Sequence, residues 1–239
     1  MLKSAKKELL KIYFKILDYT HNNWGIPVVF NDSISIKYIK NYLPSNPVIL
    51  ECGAFDGKDS MKLQKKLKGI VHSIEANPAC FNLLKNSTKK NKHIYIYNIG
   101  LSEQTEKKFL NVSSGASESA SSFLNPNEFM HEKVLFNSKI EVDCYSLKDF
   151  VLTHKVDNIN FLYLDMQGLE YYVLKGSMEY VKKINVIYLE VCFIQTYDGE
   201  ILHEKIEKLL TESGFVLNKI TTPLGAKHGN ALYINKNIL

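Results

Sequence analysis

Four acidic residues lie at or near the ends of apolar, strand-like runs in this sequence: Glu51, Glu75, Asp165 and Glu190. A carboxylate at the end of a buried strand is costly unless it has a partner or a function. In open α/β sheets, ligands bind outside the carboxyl ends of the strands. The spacing therefore predicts a ligand site, where these carboxylates can bind hydroxyl groups, bind cations or accept a proton.

The loop after the first run distinguishes between nucleotide ligands. It reads Gly53-Ala54-Phe55-Asp56-Gly57, within VILECGAFDGKDS (48–60). It matches neither the G-x-G-x-x-G pattern that approaches a pyrophosphate nor the G-x-x-x-x-G-K-[ST] pattern of a P-loop. S-adenosylmethionine has no phosphate, but it carries a cationic sulfonium, an ammonium group and a ribose diol. Because Glu51 and Asp56 add carboxylates here, S-adenosylmethionine is the better match, and NAD is the disfavoured alternative.

Glu75 ends the second run, GIVHSIE (69–75), and Ala76-Asn77-Pro78 follows it. It lies roughly twenty residues beyond the loop, the spacing at which an acidic residue accepts the ribose hydroxyls in other doubly wound folds. We therefore predict that Glu75 binds the ribose of the cofactor.

Asp165 and Glu190 are the candidates for acid–base chemistry. Asp165 could contact the amine of the cofactor, bind the substrate or remove a proton from it. Two neighbouring carboxylates can raise the pKa of one and create a general base, or they can bind a divalent cation. No third ligand has a clear spacing, so no metal site is predicted. His228 is the best placed of the seven histidines for a catalytic role, although a histidine in a surface loop is the alternative.

The composition limits the classes of protein. A chain of 239 residues, 45% of them hydrophobic, suits one α/β domain with additions. The net charge of +5 comes without a dense basic block, so no nucleic-acid partner is expected. The four cysteines are far apart and are predicted to be core thiols rather than disulfides or zinc ligands. Lysines interrupt the N-terminus and no run approaches the roughly 18 apolar residues of a membrane span, which favours a cytoplasmic protein.

Apolar runs alternate with helical patterns over most of the chain. Strands are predicted at 48–52, 69–75, 93–100, 159–166 and 184–193, and helices at 59–67, 78–89, about 169–182 and about 200–213. Such runs indicate a parallel sheet covered on both sides. The last runs, FVLNKI and NALYIN, have no helix between them and are predicted to pair antiparallel. The predicted fold class is α/β: a doubly wound, mostly parallel seven-stranded sheet with helices on both faces and an antiparallel C-terminal strand pair.

A helical N-terminal extension is predicted over residues 1–45, ahead of the main domain at 46–239. An amphipathic helix at about 4–19 can pack on the domain, mediate association or lie on a membrane surface. Asp32-Ser33 is a plausible N-cap for a second short helix. The oligomeric state is left open.

Residues 104–145 interrupt the alternation of strands and helices. Two strand-like pieces, KKFLNV and KIEVDCYS, flank the serine-rich loop SSGASESASSF (113–123). A long polar loop of this kind is either functional, for example a lid, or a mobile insertion.

With these motifs in place, the sequence resembles the FkbM family of S-adenosylmethionine-dependent methyltransferases, which have the class I Rossmann-like fold. The matching segments cover about residues 46–235 in the order of the family. YLDMQGLEYYVLKGS (163–177) resembles the family's L-D-x-E-G-x-E-x-x-V-L-K-G motif. The other matches are ILECGAFDGKDS, SIEANPACFNLLKNS, NIGLSEQTEKKFL, SASSF and VDCYSLKDF.

The resemblance implies a set of cofactor-binding residues. The methionine half would be surrounded by Glu51, Gly53, Ala54, Asp56, Gly57 and Ser60. Glu75 would hold the ribose beside Ala76 and Asn77, Gly100 and Leu101 would lie near the adenine, and Asp165 and Gln167 would complete the set. Two positions depart from the family pattern: Gln167 replaces a commoner acid, and Lys148-Asp149 replaces an Asp-Asp pair.

The function that these features imply is S-adenosylmethionine-dependent O-methylation of a hydroxyl group on a sugar, a glycan or a related metabolite. The substrate class comes from the resemblance alone. An NAD-dependent Rossmann-type enzyme and a non-catalytic binding protein that retains the fold are the alternatives.

Overall fold

The computed structural model describes residues 28–29, 35–156, 158–221 and 227–239, and for residues 28–29 it describes the backbone alone. The helix predicted at about 4–19 and the cap predicted at Asp32-Ser33 lie outside these residues. A short helix, α1 (Ile36–Ile39), begins after Ser35. Its Ile39 is buried in the same core cluster as Ile49 and Leu63, so this part of the predicted extension packs on the α/β domain.

Buried strands alternate with helices as the sequence predicts. The strands are β1 (Val28–Val29), β2 (Val48–Cys52), β3 (Ile70–Ile74), β4 (Ile94–Tyr97), β5 (Gly100–Leu101), β6 (Glu106–Gly115), β7 (Val134–Tyr145), β8 (Ile159–Leu164), β9 (Val186–Cys192), β10 (Phe215–Thr221) and β11 (His228–Asn235). The helices after α1 are α2 (Lys58–Leu67), α3 (Pro78–Thr88), α4 (Leu147–His154), α5 (Glu170–Gly176), α6 (Met178–Val181) and α7 (His203–Glu212).

The main sheet has the strand order β1-β10-β11-β9-β8-β2-β3-β4. The strands from β9 to β4 are parallel, and β11 pairs antiparallel with both β9 and β10. The predicted fold class, including the antiparallel C-terminal pair, is confirmed. The short β1 adds an eighth strand, parallel to β10, that the sequence did not predict.

Both faces of the sheet are buried. Successive residues of a strand point to opposite faces. Accordingly, Leu50 and Leu162 belong to one core cluster, whereas the preceding Ile49 and Phe161 belong to the other. The continuous apolar runs of β2 and β8 follow from this two-sided burial.

Residues 100–145 contribute a second sheet, with the order β5-β7-β6. The prediction of a single third strand at 93–100 is wrong at its end, because β4 stops at Tyr97 and the chain then crosses to this second sheet. Gly100 pairs with Cys144 there, and a Cβ on Gly100 would lie 2.6 Å from the Cys144 Sγ atom. A side chain at this position would therefore collide with Cys144 and with Phe123, so the pairing of β5 with β7 favours glycine here.

Two helical predictions also need correction. Helix α4 was not predicted, although Ser146 caps it by accepting a hydrogen bond from the Asp149 N–H at 3.0 Å. The single helix predicted at about 169–182 is divided at Ser177 into α5 and α6. Within the part of the chain that the structure describes, no helix is long and apolar enough to cross a membrane.

Candidate active site

A cavity of about 410 Å³ opens at the carboxyl ends of β2, β3 and β8. Its size lies within the range of about 300–1,000 Å³ that is usual for small-molecule sites. This is the edge of the sheet at which the sequence predicts the ligand. Predicted site residues that line it are Glu51, Gly53, Ala54, Asp56, Glu75, Ala76, Gly100, Leu101, Asp165 and Gln167.

The loop after β2 is fixed to its neighbouring strands. The N–H groups of Gly53 and Ala54 both donate to the Ile74 carbonyl at 3.0 Å. Gly53 has φ +87°, and a Cβ there would lie 1.8 Å from the Asp165 carbonyl oxygen. Only glycine fits this conformation and this contact, so Gly53 brings the end of β8 against the loop.

Glu51 is buried beneath the loop, where it is 1% exposed. Its Oε2 atom accepts hydrogen bonds from the hydroxyls of Ser60 and of Ser73, the latter at 2.8 Å. Burial raises the pKa of Glu51 to about 7, although the two serine hydroxyls oppose this rise. Ser60 lies outside the cavity lining, and its hydroxyl group positions Glu51 by donating to it.

Glu75 anchors two turns at once. Its Oε2 atom accepts the Phe55 N–H at 2.8 Å, and its Oε1 atom accepts the Asn77 N–H at 2.7 Å. Each oxygen keeps a further acceptor position, so the carboxylate can still bind a diol. The Asn77 side chain caps α3 by accepting the Ala79 N–H at 3.0 Å, and Asn77 is not part of the cavity lining.

The charge of the cavity lining is strongly acidic. Among the described residues that line the cavity, Lys58 is the one basic residue, and it forms an ion pair with Asp56 at 2.6 Å. The acidic residues of the lining are Glu51, Asp56, Asp59, Glu75, Glu118 and Asp165. Such a lining suits a cationic ligand and repels a pyrophosphate, which argues against NAD.

A half-buried amide joins the two carboxylates that the sequence proposed for acid–base chemistry. The Gln167 Nε2 atom donates to the Asp165 Oδ1 atom at 2.9 Å and to the Glu190 Oε2 atom at 3.2 Å. Burial raises the pKa of both carboxyls, and the neighbouring Asp165 raises that of Glu190 further. The sequence predicted this pair of carboxylates, but not the bridge between them. Asp165 lines the cavity, whereas Glu190 lies outside its lining.

The loop that carries Gln167 is held from below by Glu170. Gln167 itself has φ +53°, and Gly168 has φ +103°. Glu170 is 5% exposed and accepts the N–H groups of Met166 at 2.6 Å and of Gly168 at 3.1 Å. Burial raises its pKa to about 8.

The serine-rich loop forms one wall of the cavity. Its lining residues are Glu118, Ser119, Ser121 and Phe123. The Ser122 hydroxyl donates to the Gln167 carbonyl at 2.7 Å, so the loop packs directly on the bridging residue. The sequence left open whether this loop was a lid or an insertion, and did not include its residues in the site. The resemblance of SASSF to a family segment was the available signal.

Two further predicted residues lie away from the cavity lining. Gly57, with φ +78°, is the N-cap of α2, and a Cβ there would lie 2.5 Å from the Ser87 Oγ atom and 2.8 Å from the Leu84 Cδ1 atom. His228 begins β11, and its Nε2 atom lies 3.2 Å from both the Glu200 Oε1 atom and the Thr196 Oγ1 atom. His228 is thus engaged with Glu200 rather than with the cavity.

The groups that line the cavity fit S-adenosylmethionine. Carboxylates suit its sulfonium, its ammonium group and its ribose diol, and a separate apolar region suits its adenine. That region contains Ile74, Ile99, Leu101, Leu110 and Phe123.

The doubly wound sheet, its antiparallel C-terminal pair and an acidic cofactor cavity define a class I methyltransferase fold. Methanococcus jannaschii fibrillarin, a pre-rRNA processing protein, has a similar fold, with a TM-score of 0.51 at 14% identity, covering 82% of this chain and 69% of that chain.

The chain matches the Methyltransferase FkbM domain over residues 51–217 and belongs to that family. It is an S-adenosylmethionine-dependent methyltransferase. It is also 24% identical over 173 residues to the 2-O-methyltransferase NoeI of Sinorhizobium fredii (strain NBRC 101917 / NGR234), an alignment that covers 69% of this chain and 71% of NoeI.

Proposed function

We propose that this enzyme methylates a hydroxyl group of a sugar, a glycan or a related metabolite, with Asp165 as the general base. The observation that carries the proposal is the Asp165–Gln167–Glu190 bridge beside the cofactor cavity. A hydroxyl acceptor must lose its proton when it is methylated, and a placed carboxylate can accept that proton.

Asp165 is the better placed of the two carboxylates because it lines the cavity, whereas Glu190 does not. The raised pKa of Asp165, caused by burial, makes it a stronger base than an exposed aspartate. The Gln167 amide supplies one N–H to each carboxylate and so fixes the orientation of Asp165. We therefore assign Glu190 and Gln167 to positioning, and we place the proton transfer on Asp165 rather than on His228.

The cofactor supplies a methyl group on a sulfonium when it is bound. We assign Glu75 to the ribose, the apolar wall around Leu101 to the adenine, and the acidic loop after β2 to the methionine half. Alignment of two bound reactants lowers the activation barrier by about 7–11 kcal/mol, whereas a correctly positioned general base raises the rate by about 10²–10⁴-fold. Loss of the Asp165 base should therefore leave a measurable residual rate.

Two observations support methylation of a hydroxyl group on an acceptor other than a nucleic acid. The relative NoeI is named a 2-O-methyltransferase. The acidic residues of the cavity lining disfavour polyanionic acceptors such as nucleic acids. The acceptor is accordingly proposed to be neutral or cationic at the position that is methylated.

The test is methyl transfer from isotope-labelled S-adenosylmethionine to a panel of mono- and oligosaccharides, with RNA and a protein mixture as competing acceptors. We expect label on a saccharide, stable to mild base as an ether is, and a mass gain of one methylene group per site. Asp165→Asn should lower the rate by about 10²–10⁴-fold while cofactor affinity changes less. Label that appears only on nitrogen, on RNA or as a base-labile ester would contradict the proposal.

A further inference from the structure

We propose that Cys192, Glu200 and His228 form a binding site for a divalent transition-metal ion, and that Zn²⁺ best matches its donors. One ligand atom from each residue, a thiol sulfur, a carboxylate oxygen and an imidazole nitrogen, lies within 4.8 Å of the other two. None of the three lines the cofactor cavity, and the proposal does not depend on the identity of the methyl acceptor.

The fold brings together residues that the sequence keeps apart. Cys192 is the last residue of β9 and His228 is the first of β11, and the two are direct partners in the antiparallel register. Leu202 forms an isolated bridge with Cys192, which brings the turn containing Glu200 to the same place. The spacing of these three residues in the sequence matches no metal-binding motif. The sequence therefore predicted Cys192 as a core thiol and predicted no metal.

The carboxylate ligand is already oriented. Glu200 is 2% exposed, and its Oε2 atom accepts the N–H groups of Thr196 at 2.7 Å and of Tyr197 at 3.3 Å. Its Oε1 atom is directed at the His228 Nε2 atom, 3.2 Å away. Outer hydrogen bonds of this kind orient metal ligands and raise affinity.

The distances suit a tetrahedral ion after a small adjustment. Zinc bonds of about 2.0–2.3 Å place tetrahedral ligands about 3.3–3.7 Å apart. The distance of 3.2 Å between Glu200 and His228 is close to this value, and the thiol must move by at most about an ångström from the 4.8 Å limit. Three protein ligands leave a fourth position open, as in zinc sites that bind water or substrate.

The charges also match. A thiolate and a carboxylate together balance the two positive charges of the ion, and binding displaces the thiol proton. The nearest lysine in sequence, Lys227, donates its ammonium group to the Phe129 carbonyl, so its charge is directed to another partner. The His228 side chain is 26% exposed and gives the ion a path from solvent.

The first test is calorimetric titration of Zn²⁺ into chelator-treated enzyme that carries no affinity tag. We expect one equivalent to bind, and Cys192→Ser and His228→Ala to weaken binding by at least about tenfold, since even outer-shell changes cost 10–100-fold. His93→Ala is the control, because His93 is exposed and lies outside the cluster, and it should bind like wild type.

The second test needs no variant. Co²⁺ added to the wild-type enzyme should produce the near-ultraviolet charge-transfer absorption of a thiolate–cobalt bond, and Zn²⁺ should remove it by competition. Absence of this band, or Zn²⁺ binding that is equally strong in Cys192→Ser and His228→Ala, would overturn the proposal.

Discussion

Replacing Glu75 with alanine should weaken cofactor binding much more than replacing Glu190 with alanine. Glu75 lines the cavity at the end of β3, whereas Glu190 lies outside the lining and accepts a hydrogen bond from the Gln167 amide. The comparison therefore separates a proposed cofactor ligand from a positioning residue of the same chemistry.

The magnitude follows from the hydrogen bonds that the carboxylate can make. Hydrogen bonds to a charged group are worth about 1.5–3 kcal/mol each, so loss of both ribose hydroxyl contacts costs about 3–6 kcal/mol. Since about 1.4 kcal/mol is tenfold, affinity should fall by at least about a hundredfold in Glu75→Ala. Glu190→Ala should change it by less than about tenfold, because no direct contact with the cofactor is proposed.

Isothermal titration of S-adenosylhomocysteine into each variant measures the difference. Glu75→Ala also frees the N–H groups of Phe55 and Asn77, so thermal unfolding of the free variants must be recorded beside it. Glu75→Gln keeps an acceptor oxygen and should fall between wild type and Glu75→Ala. Equal affinities in Glu75→Ala and Glu190→Ala, with both variants folded, would refute the assignment of Glu75 to the ribose.

Three further predictions concern stability. Gly53→Ala should lower the free energy of unfolding by at least about 3 kcal/mol, because a residue with φ +87° is strained and its Cβ would meet the Asp165 carbonyl. Gly214 has φ +97° but open space around its Cβ position, so Gly214→Ala should lose only the conformational contribution. Denaturant titration of both variants measures the difference. Gln167→Glu should lower the free energy of unfolding by about 3–6 kcal/mol at neutral pH, because the two hydrogen bonds that the amide donates to carboxylates are lost. The stability of this variant should recover in acid, where the carboxyls are protonated. Stability should also fall by about 2 kcal/mol between about pH 6.5 and pH 8, because burial holds the pKa of Glu170 at about 8 in the folded state.

The sign of the pH effect is set by proton binding. In that interval the folded protein keeps a proton on Glu170 that the unfolded chain has lost, so rising pH favours unfolding. His72 and His203, whose pKa values burial lowers to about 4, act in the opposite direction only below about pH 6.5. Burial also raises the pKa of Glu51, to about 7, and that of Glu190, and both carboxyls act in the same direction as Glu170. Glu170→Gln should therefore reduce the slope above pH 6.5, and an unchanged slope in that variant would show that Glu170 is not responsible.

The outcomes of the other two stability predictions are equally specific. Equal losses in Gly53→Ala and Gly214→Ala would mean that the Asp165 carbonyl moves aside without cost. Gln167→Leu removes the donors without adding a charge, so it should be less pH-dependent than Gln167→Glu. If the two variants respond identically to pH, the Gln167 amide does not stabilise charged carboxylates.

The local pattern was enough to predict the strands that carry the cofactor site. Runs such as VILEC and INFLYL are apolar on both faces, and a parallel sheet covered by helices is the structure that buries such runs. The loop at Gly53 and the acidic residue Glu75 each lie directly at the end of a predicted strand. Their residue types and their spacing could therefore indicate a ligand without a phosphate.

The tertiary structure alone decided which groups meet. The Gln167 amide joins Asp165 to Glu190 because β8 and β9 are neighbours in the sheet, although the two carboxylates are far apart in sequence. In the same way, the antiparallel register of β9 and β11 sets His228 beside Cys192, and the His228 imidazole contacts Glu200 rather than lining the cofactor cavity. Periodicity and motif spacing describe contacts within a few residues along the chain, whereas strand order and register fix contacts across it.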